Sequence, residues 1–239
     1  MKRGLTGSTL KTIALFSMLI DHFTAVFEWG SMHTGSMLFT YEEYYFLRGV
    51  GRLAFPIYCF LLVEGYVHTR NVAKYLVRLF LFGLVSEIPF DLAFRHTFLV
   101  WSYQNVYFTL FLGLLAVTMW DFITKKDPRH CGMGRILLAL SAIAFIAFLG
   151  RVGNTDYGEW GVLTISALYI FRSSEWLRDL FSAGALLMAS RLEAVGFVEY
   201  VLFHFYNGER GRQPKYFFYL FYPVHLLLLV LICRAVFGV

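Results

Sequence analysis

Polar interruptions divide the chain into long apolar runs at residues 10–30, 45–67, 72–94, 104–122, 134–150, 158–171, 177–190, 195–206 and 215–237. A run of about 20 apolar residues can cross a bilayer core about 30 Å thick as a helix. The pattern therefore predicts an all-α, polytopic membrane bundle of about nine spans. The seventh and eighth runs are short and could form a hairpin that does not fully cross. The runs use most of the 239 residues. That leaves one integral membrane domain, 1–239, with no separate soluble domain and no internal repeat.

Composition agrees with the pattern. The chain is 58% hydrophobic and 15% charged, against about 45–50% and about 25% in soluble domains. Such a chain is neither an ordinary soluble domain nor disordered. Its formal charge is +5, but no basic, aromatic-interleaved polar surface stands out, which excludes nucleic acid as a partner. Cys59, Cys131 and Cys233 are far apart, so neither a disulfide framework nor a metal site is expected. The first run contains Asp21 and His22 and lacks a small-residue cleavage site, so it reads as a retained span and not a signal peptide. With the N-terminus inside, the cytoplasmic loops carry 15 basic residues and the outer side 4. This asymmetry predicts an inner N-terminus and an outer C-terminus.

Ionisable groups stand where lipid makes them costly, at least about 2.5–3.5 kcal/mol each at mid-bilayer. They are Asp21 and His22 in the first run, Arg48, Arg52 and Glu64 in the second, Glu87 and Asp91 in the third, and His225 in the last. They must face one another or a wet cavity, so an interior polar site is expected. His22 and His225 lie about 18 and 14 Å along their helices, near the midplane. Arg48 and Arg52 share a helix face, as do Glu87 and Asp91. Pro56, Pro89 and Pro223 each fall within four residues of such a group and predict kinked helices lining a cavity. Lys11 and His22 are eleven residues apart, close to three turns of about 3.6 residues. One face therefore carries a cation at the cytoplasmic mouth and a base deep inside.

Blander roles stay open beside these. His225 could be a packing residue, and Arg52 could neutralise Glu87 or Asp91. Glu64 could snorkel, and Lys74 and Arg78 could report topology alone.

Several segments together resemble the TraX family, membrane proteins named for a conjugal-pilin N-terminal acetylase. They are LKTIALFSMLIDH at 10–22, LRGVGRLAFP at 47–56, VEGYVHTRN at 63–71, SEIPFD at 86–91, QNVYFTLFLG at 104–113 and FYLFYPVH at 218–225. More remotely the family is similar to the membrane acyltransferase-3 superfamily, whose sugar O-acetylases open with a basic residue, ten residues and a His. Here Lys11 and His22 keep that spacing with Lys in place of Arg. Arg48 and Arg52 resemble the Arg motif that follows, with i, i+4 spacing.

The resemblance implies a bacterial inner-membrane acetyltransferase. Its donor would be acetyl-CoA from the cytoplasm. Its acceptor, on or near the outer side, would be an amine or hydroxyl of a protein N-terminus, sugar or glycan. The cations Lys11, Lys74, Arg78, Arg210 and Lys215 would attract the CoA phosphates. His22, with Asp21 beside it, or His225 would act as general base or carry the acetyl group. Arg52 or Asn105 would stabilise the oxyanion, and Arg48, Glu87 and Asp91 would stand on the substrate side. A proton-coupled transporter is the competing reading, because buried carboxylates and His suit proton relay. Against it stands the lack of the internal repeat that many carriers show.

Overall fold

The computed structural model describes residues 4–125, 132–190, 192–193, 198–212 and 216–238. In chain order the helices are α1 (Gly7–His33), α2 (Tyr41–Gly51), α3 (Ala54–His68), α4 (Val72–Phe94), α5 (Val106–Thr124), α6 (Met133–Val152), α7 (Gly158–Ile170), α8 (Glu175–Ala189), α9 (Val198–His204) and α10 (Phe217–Phe237). Among the described residues there is no β-strand; two isolated bridges join Leu5 to Tyr206 and Gln104 to Thr155.

Five segments are long and apolar enough to cross a membrane: Gly7–His33, Tyr41–His68, Val106–Thr124, Met133–Val152 and Phe217–Phe237. The hydrophobic pattern predicts about nine, and the difference has two physical causes. Helices α7, α8 and α9 have 13, 15 and 7 residues. At about 1.5 Å per residue they fall short of a core about 30 Å thick. Helix α4 has 23 residues, which is long enough, but Lys74, Arg78, Glu87 and Asp91 are spread along it. The apolar helices expose large side chains, such as Leu137, Phe145 and Phe148 on α6 and Leu228, Leu231 and Ile232 on α10. In water these faces would demand cover; in lipid they need none.

The run 45–67, expected as one span, lies within one candidate span, Tyr41–His68, but that span is built of two helices. Pro56 lies in the first turn of α3, where it has no N–H to give and its ring would crowd the Arg52 carbonyl. The chain turns tightly there, with the Arg52 and Leu53 amides donating to Gly49 and Val50. Pro89 and Pro223, in contrast, sit inside continuous helices.

The chain packs as two compact units, residues 1–58, 85–100 and 192–239 in one and 59–84 and 101–191 in the other. In the first unit, α1 packs on α2 and α10. A Cβ on Gly51 would overlap the Asp21 side chain, and one on Gly30 would overlap Cys233. Glycine at these two places lets the helix axes approach. Ser17 Oγ on α1 lies 2.7 and 3.0 Å from the Val50 and Gly51 carbonyls. It thus serves carbonyls at the end of α2, where the helix has no i+4 amide to offer them.

In the second unit, Ala116, Ile143, Ile146, Ala147 and Val162 form a core among α5, α6 and α7. One end is locked by Asp121, whose Oδ2 accepts from the Tyr66 and Tyr169 hydroxyls (3.0 and 2.5 Å) and from Lys125 (2.6 Å). Capping starts the helices in both units: Thr40 and Glu43 form a capping box on α2, and Asn105 caps α5.

Gly51→Ala should separate α1 from α2 and lower stability by about 1–3 kcal/mol, the usual cost of overpacking. Thermal unfolding of the detergent-solubilised protein reads this directly. A variant that melts with the wild type would show that the α1–α2 approach bears no strain.

Candidate active site

The site lies in the first unit and starts from Asp21. Its Oδ2 is 2.8 Å from Arg48 Nη1, which also reaches the Asp21 carbonyl at 3.2 Å. Arg52 Nη2 stands 3.9 Å from Asp21 Oδ1, and Arg52 Nη1 stands 3.6 Å from Glu193 Oε1. The i, i+4 spacing of the arginines puts both on the face of α2 and its end that meets α1. Arg48 thus makes a close charge-assisted hydrogen bond, while Arg52 is balanced at longer range between two acids. The side chain of Glu193 is 1% exposed, so the arginine is its natural counter-charge.

His22 follows Asp21 on α1 and turns the other way, toward α10. Its Nδ1 is 2.7 Å from His225 Nε2, and the two rings are within 8° of parallel. His225 Nδ1 lies 2.7 Å from the Phe221 carbonyl, one turn back on α10. A carbonyl can only accept, so His225 Nδ1 carries the proton. In the neutral ring its Nε2 is then an acceptor. The hydrogen on the short N–N bond must therefore come from His22 Nδ1. This fixes the tautomer of His22 and leaves the lone pair on its Nε2. That nitrogen is 4.0 Å from Asp21 Oδ2. Phe94 and Tyr222 pack edge-on against the His22 ring, with centroids at 5.2 and 5.8 Å, and hold its plane.

The start of α1 forms a second, cationic corner of this unit. The Leu5 and Gly7 amides donate to the Phe205 and Glu209 carbonyls, and Ser8 Oγ donates to the Arg212 carbonyl. These bonds tie the 205–212 segment to the helix that carries Lys11. Lys11 Nζ sits 5.2 Å over the Phe218 ring, and Arg210 is near enough to repel it. Bringing two like charges together has a cost that a bound anion would offset. Lys215 lies outside the described residues.

The remaining expected residues fall elsewhere. Glu87 and Asp91 are buried on α4. Asp91 Oδ2 accepts the Val100 amide at 2.8 Å, which secures the turn after that helix. The acids standing beside Arg52 are Asp21 and Glu193, where the sequence pointed to Glu87 or Asp91. Lys74, Arg78 and Asn105 belong to the second unit. Arg78 lies over the Tyr75 ring. Asn105 is fully buried, with its oxygen on the Tyr107 amide and its nitrogen on the Gly83 carbonyl. Its amide thus caps the start of α5 and ties it to the middle of α4.

Five residues of the site escaped the sequence reading. Ser17 was legible in principle, four residues before Asp21 on one face of α1. Gly51 was legible between the two arginines. Phe94 and Tyr222 were indistinguishable from the other apolar residues of their runs. Glu193 falls between two predicted spans, where an acid reads as surface.

The chain matches the family model described as TraX protein over residues 6–233. It is 34% identical to the probable fimbrial assembly protein FimC, serogroup H1, of Dichelobacter nodosus, over 92% of each chain. It is 26% identical to Protein TraX of Escherichia coli, over 74% of this chain and 61% of that one. No solved structure matches it. The match along nearly the whole length, with the site residues Asp21, His22, Arg48, Arg52 and His225 inside it, identifies the chain as a member of the TraX family.

Proposed function

We propose that this membrane protein is an acetyltransferase, remotely akin to the acyltransferase-3 superfamily. It would move an acetyl group from cytoplasmic acetyl-CoA to an amine or hydroxyl acceptor. The observation that carries the reading is the hydrogen-bond chain from His22 through His225 to the Phe221 carbonyl. It presents His22 Nε2 as a lone pair of fixed direction, which is what acyl transfer asks of a general base. The name of one relative speaks of fimbrial assembly, so a fimbrial subunit is the first acceptor to test. The basic asymmetry of the loops supports an inner N-terminus and an outer C-terminus in the bacterial inner membrane.

In this reading His22 Nε2 takes the proton of the acceptor as its nitrogen or oxygen attacks the thioester carbon. The C–S bond then breaks, and His22 returns the proton to the departing sulfur. His225 is a positioning residue: it holds the tautomer and accepts from the imidazolium while that charge exists. Arg52, beside Asp21 and Glu193 at 3.9 and 3.6 Å, would bring its positive charge to the developing oxyanion. Arg48 anchors Asp21, and Asp21 in turn faces the charged imidazolium. The paired cations Lys11 and Arg210 suit the phosphates of the donor.

His22→Ala should lower turnover by about 10²–10⁴ and leave donor binding nearly intact. His225→Ala should cost less. Labelled acetyl-CoA, purified protein in detergent and a fimbrial-subunit peptide suffice for the assay. Near wild-type activity in His22→Ala, with none in His225→Ala, would move the base to α10.

Lys11→Ala should raise the apparent KM for acetyl-CoA, and donor binding should weaken as salt rises. Binding insensitive both to salt and to this substitution would remove the phosphates from the mouth of α1.

A further inference from the structure

Where α3, α5 and α7 end in the second unit, two cations are mounted on one buried ring, that of Tyr169. Lys125 Nζ donates to Asp121 Oδ2 at 2.6 Å and to the Tyr169 hydroxyl at 2.8 Å. Among the described residues this engages two of the three ammonium hydrogens. Arg172 lies over the face of the same ring, with Cζ 4.3 Å from its centroid, and Nη1 donates to the Tyr169 carbonyl at 3.1 Å. That bond uses one of five guanidinium hydrogens. Both side chains are exposed.

Helix ends favour cations, because their carbonyls carry partial negative charge. Lys125 has a second reason to be there, since it balances Asp121. Arg172 goes beyond both needs. Among the described residues it forms no ion pair, so one acid stands against two cations whose positions the ring already fixes.

The surface beside them is apolar. Helix α8 buries Arg178 and Ser182 and exposes Trp176, Leu180, Leu187 and Met188. A helix facing water shows the reverse pattern, so this face meets lipid. Trp176, 70% exposed, opens it four residues past Arg172. Phe122, 63% exposed, stands one turn before Lys125 on α5. Cations flanked by exposed aromatic side chains at the ends of apolar helices mark a membrane interface.

We propose that Lys125 and Arg172 bind the phosphate of an anionic phospholipid whose acyl chains lie along Phe122 and the Trp176–Leu180 face of α8. The guanidinium fork takes two phosphate oxygens, and the ammonium adds a point charge. A zwitterionic lipid has the same phosphate but brings its own cation, which leaves the surplus charge unanswered. A water-soluble phosphate would meet the cations and leave the apolar face unfilled. The proposal does not depend on the acetyl-transfer reading.

Trp176 reports on the site directly, because brominated lipid quenches an indole that it touches. In vesicles holding the whole protein, the quenching lost in Trp176→Phe is the part due to Trp176, one of five tryptophans. Brominated phosphatidylglycerol should quench this part more strongly than brominated phosphatidylcholine at equal mole fraction. The preference should weaken as salt rises and fall about fivefold in Arg172→Gln. Arg172→Lys, which keeps the charge, should retain most of it. Lys125→Gln should also lower the preference but leaves Asp121 without its cation, so the exposed Arg172 is the decisive position. Equal quenching by the two lipids overturns the proposal. So does a preference that neither salt nor Arg172→Gln reduces. Displacement of brominated phosphatidylglycerol by added CoA would give the two cations to the donor's phosphates and overturn it as well.

Discussion

An apolar chain can keep an acid such as Asp21 out of water only by giving it a partner, and here the partner is Arg48 at 2.8 Å. Removing either group would leave a buried charge uncompensated, a loss of about 3–5 kcal/mol. Much of the surrounding architecture follows from that pairing. Helices α1 and α2 must approach until the carboxylate touches the backbone of α2, which only glycine at 51 allows. The helix that carries the arginines must end there, and Pro56 ends it. Its carbonyls must be served, and Ser17, one turn before Asp21, serves them.

Fixing Asp21 also fixes its neighbour. Successive side chains on a helix point about 100° apart, so a carboxylate held toward α2 sends His22 toward α10. There it meets His225, whose other nitrogen is already engaged by the carbonyl of Phe221. One helix thus sorts two polar groups into two roles: an ion pair that holds the fold, and an imidazole with a directed lone pair. Arg52 stands beside the same carboxylate at longer range, 3.9 Å from Asp21 and 3.6 Å from Glu193.

The sequence showed where charge was too costly to be idle. Asp21, His22, Arg48, Arg52 and His225 stood out because each interrupts an apolar run, and the structure brings all five into one unit. What the sequence could not show was direction and partnership. Hydropathy counts apolar residues and does not see that Pro56 breaks the helix inside the 45–67 run, which still lies within one candidate span, Tyr41–His68. It does not separate a crossing helix from α7 or α8, whose apolar stretches are too short to cross. Asn105 looked like a polar group in a membrane site because its capping bond to Tyr107 and its tie to the Gly83 carbonyl are visible only in three dimensions. Glu193 was lost for the opposite reason: an acid between runs has no sequence signal that distinguishes a loop from a buried counter-ion.

The central claim is the direction of the His22 lone pair, and it can be measured without any substrate. Nitrogen-15 NMR of the protein labelled at histidine, with His22→Ala and His225→Ala as assignment standards, reports which ring nitrogen of each residue bears hydrogen. The account predicts neutral rings at neutral pH, both with the proton on Nδ1, and a bare Nε2 on His22. A proton on His22 Nε2 would reverse the hydrogen-bond chain and contradict it.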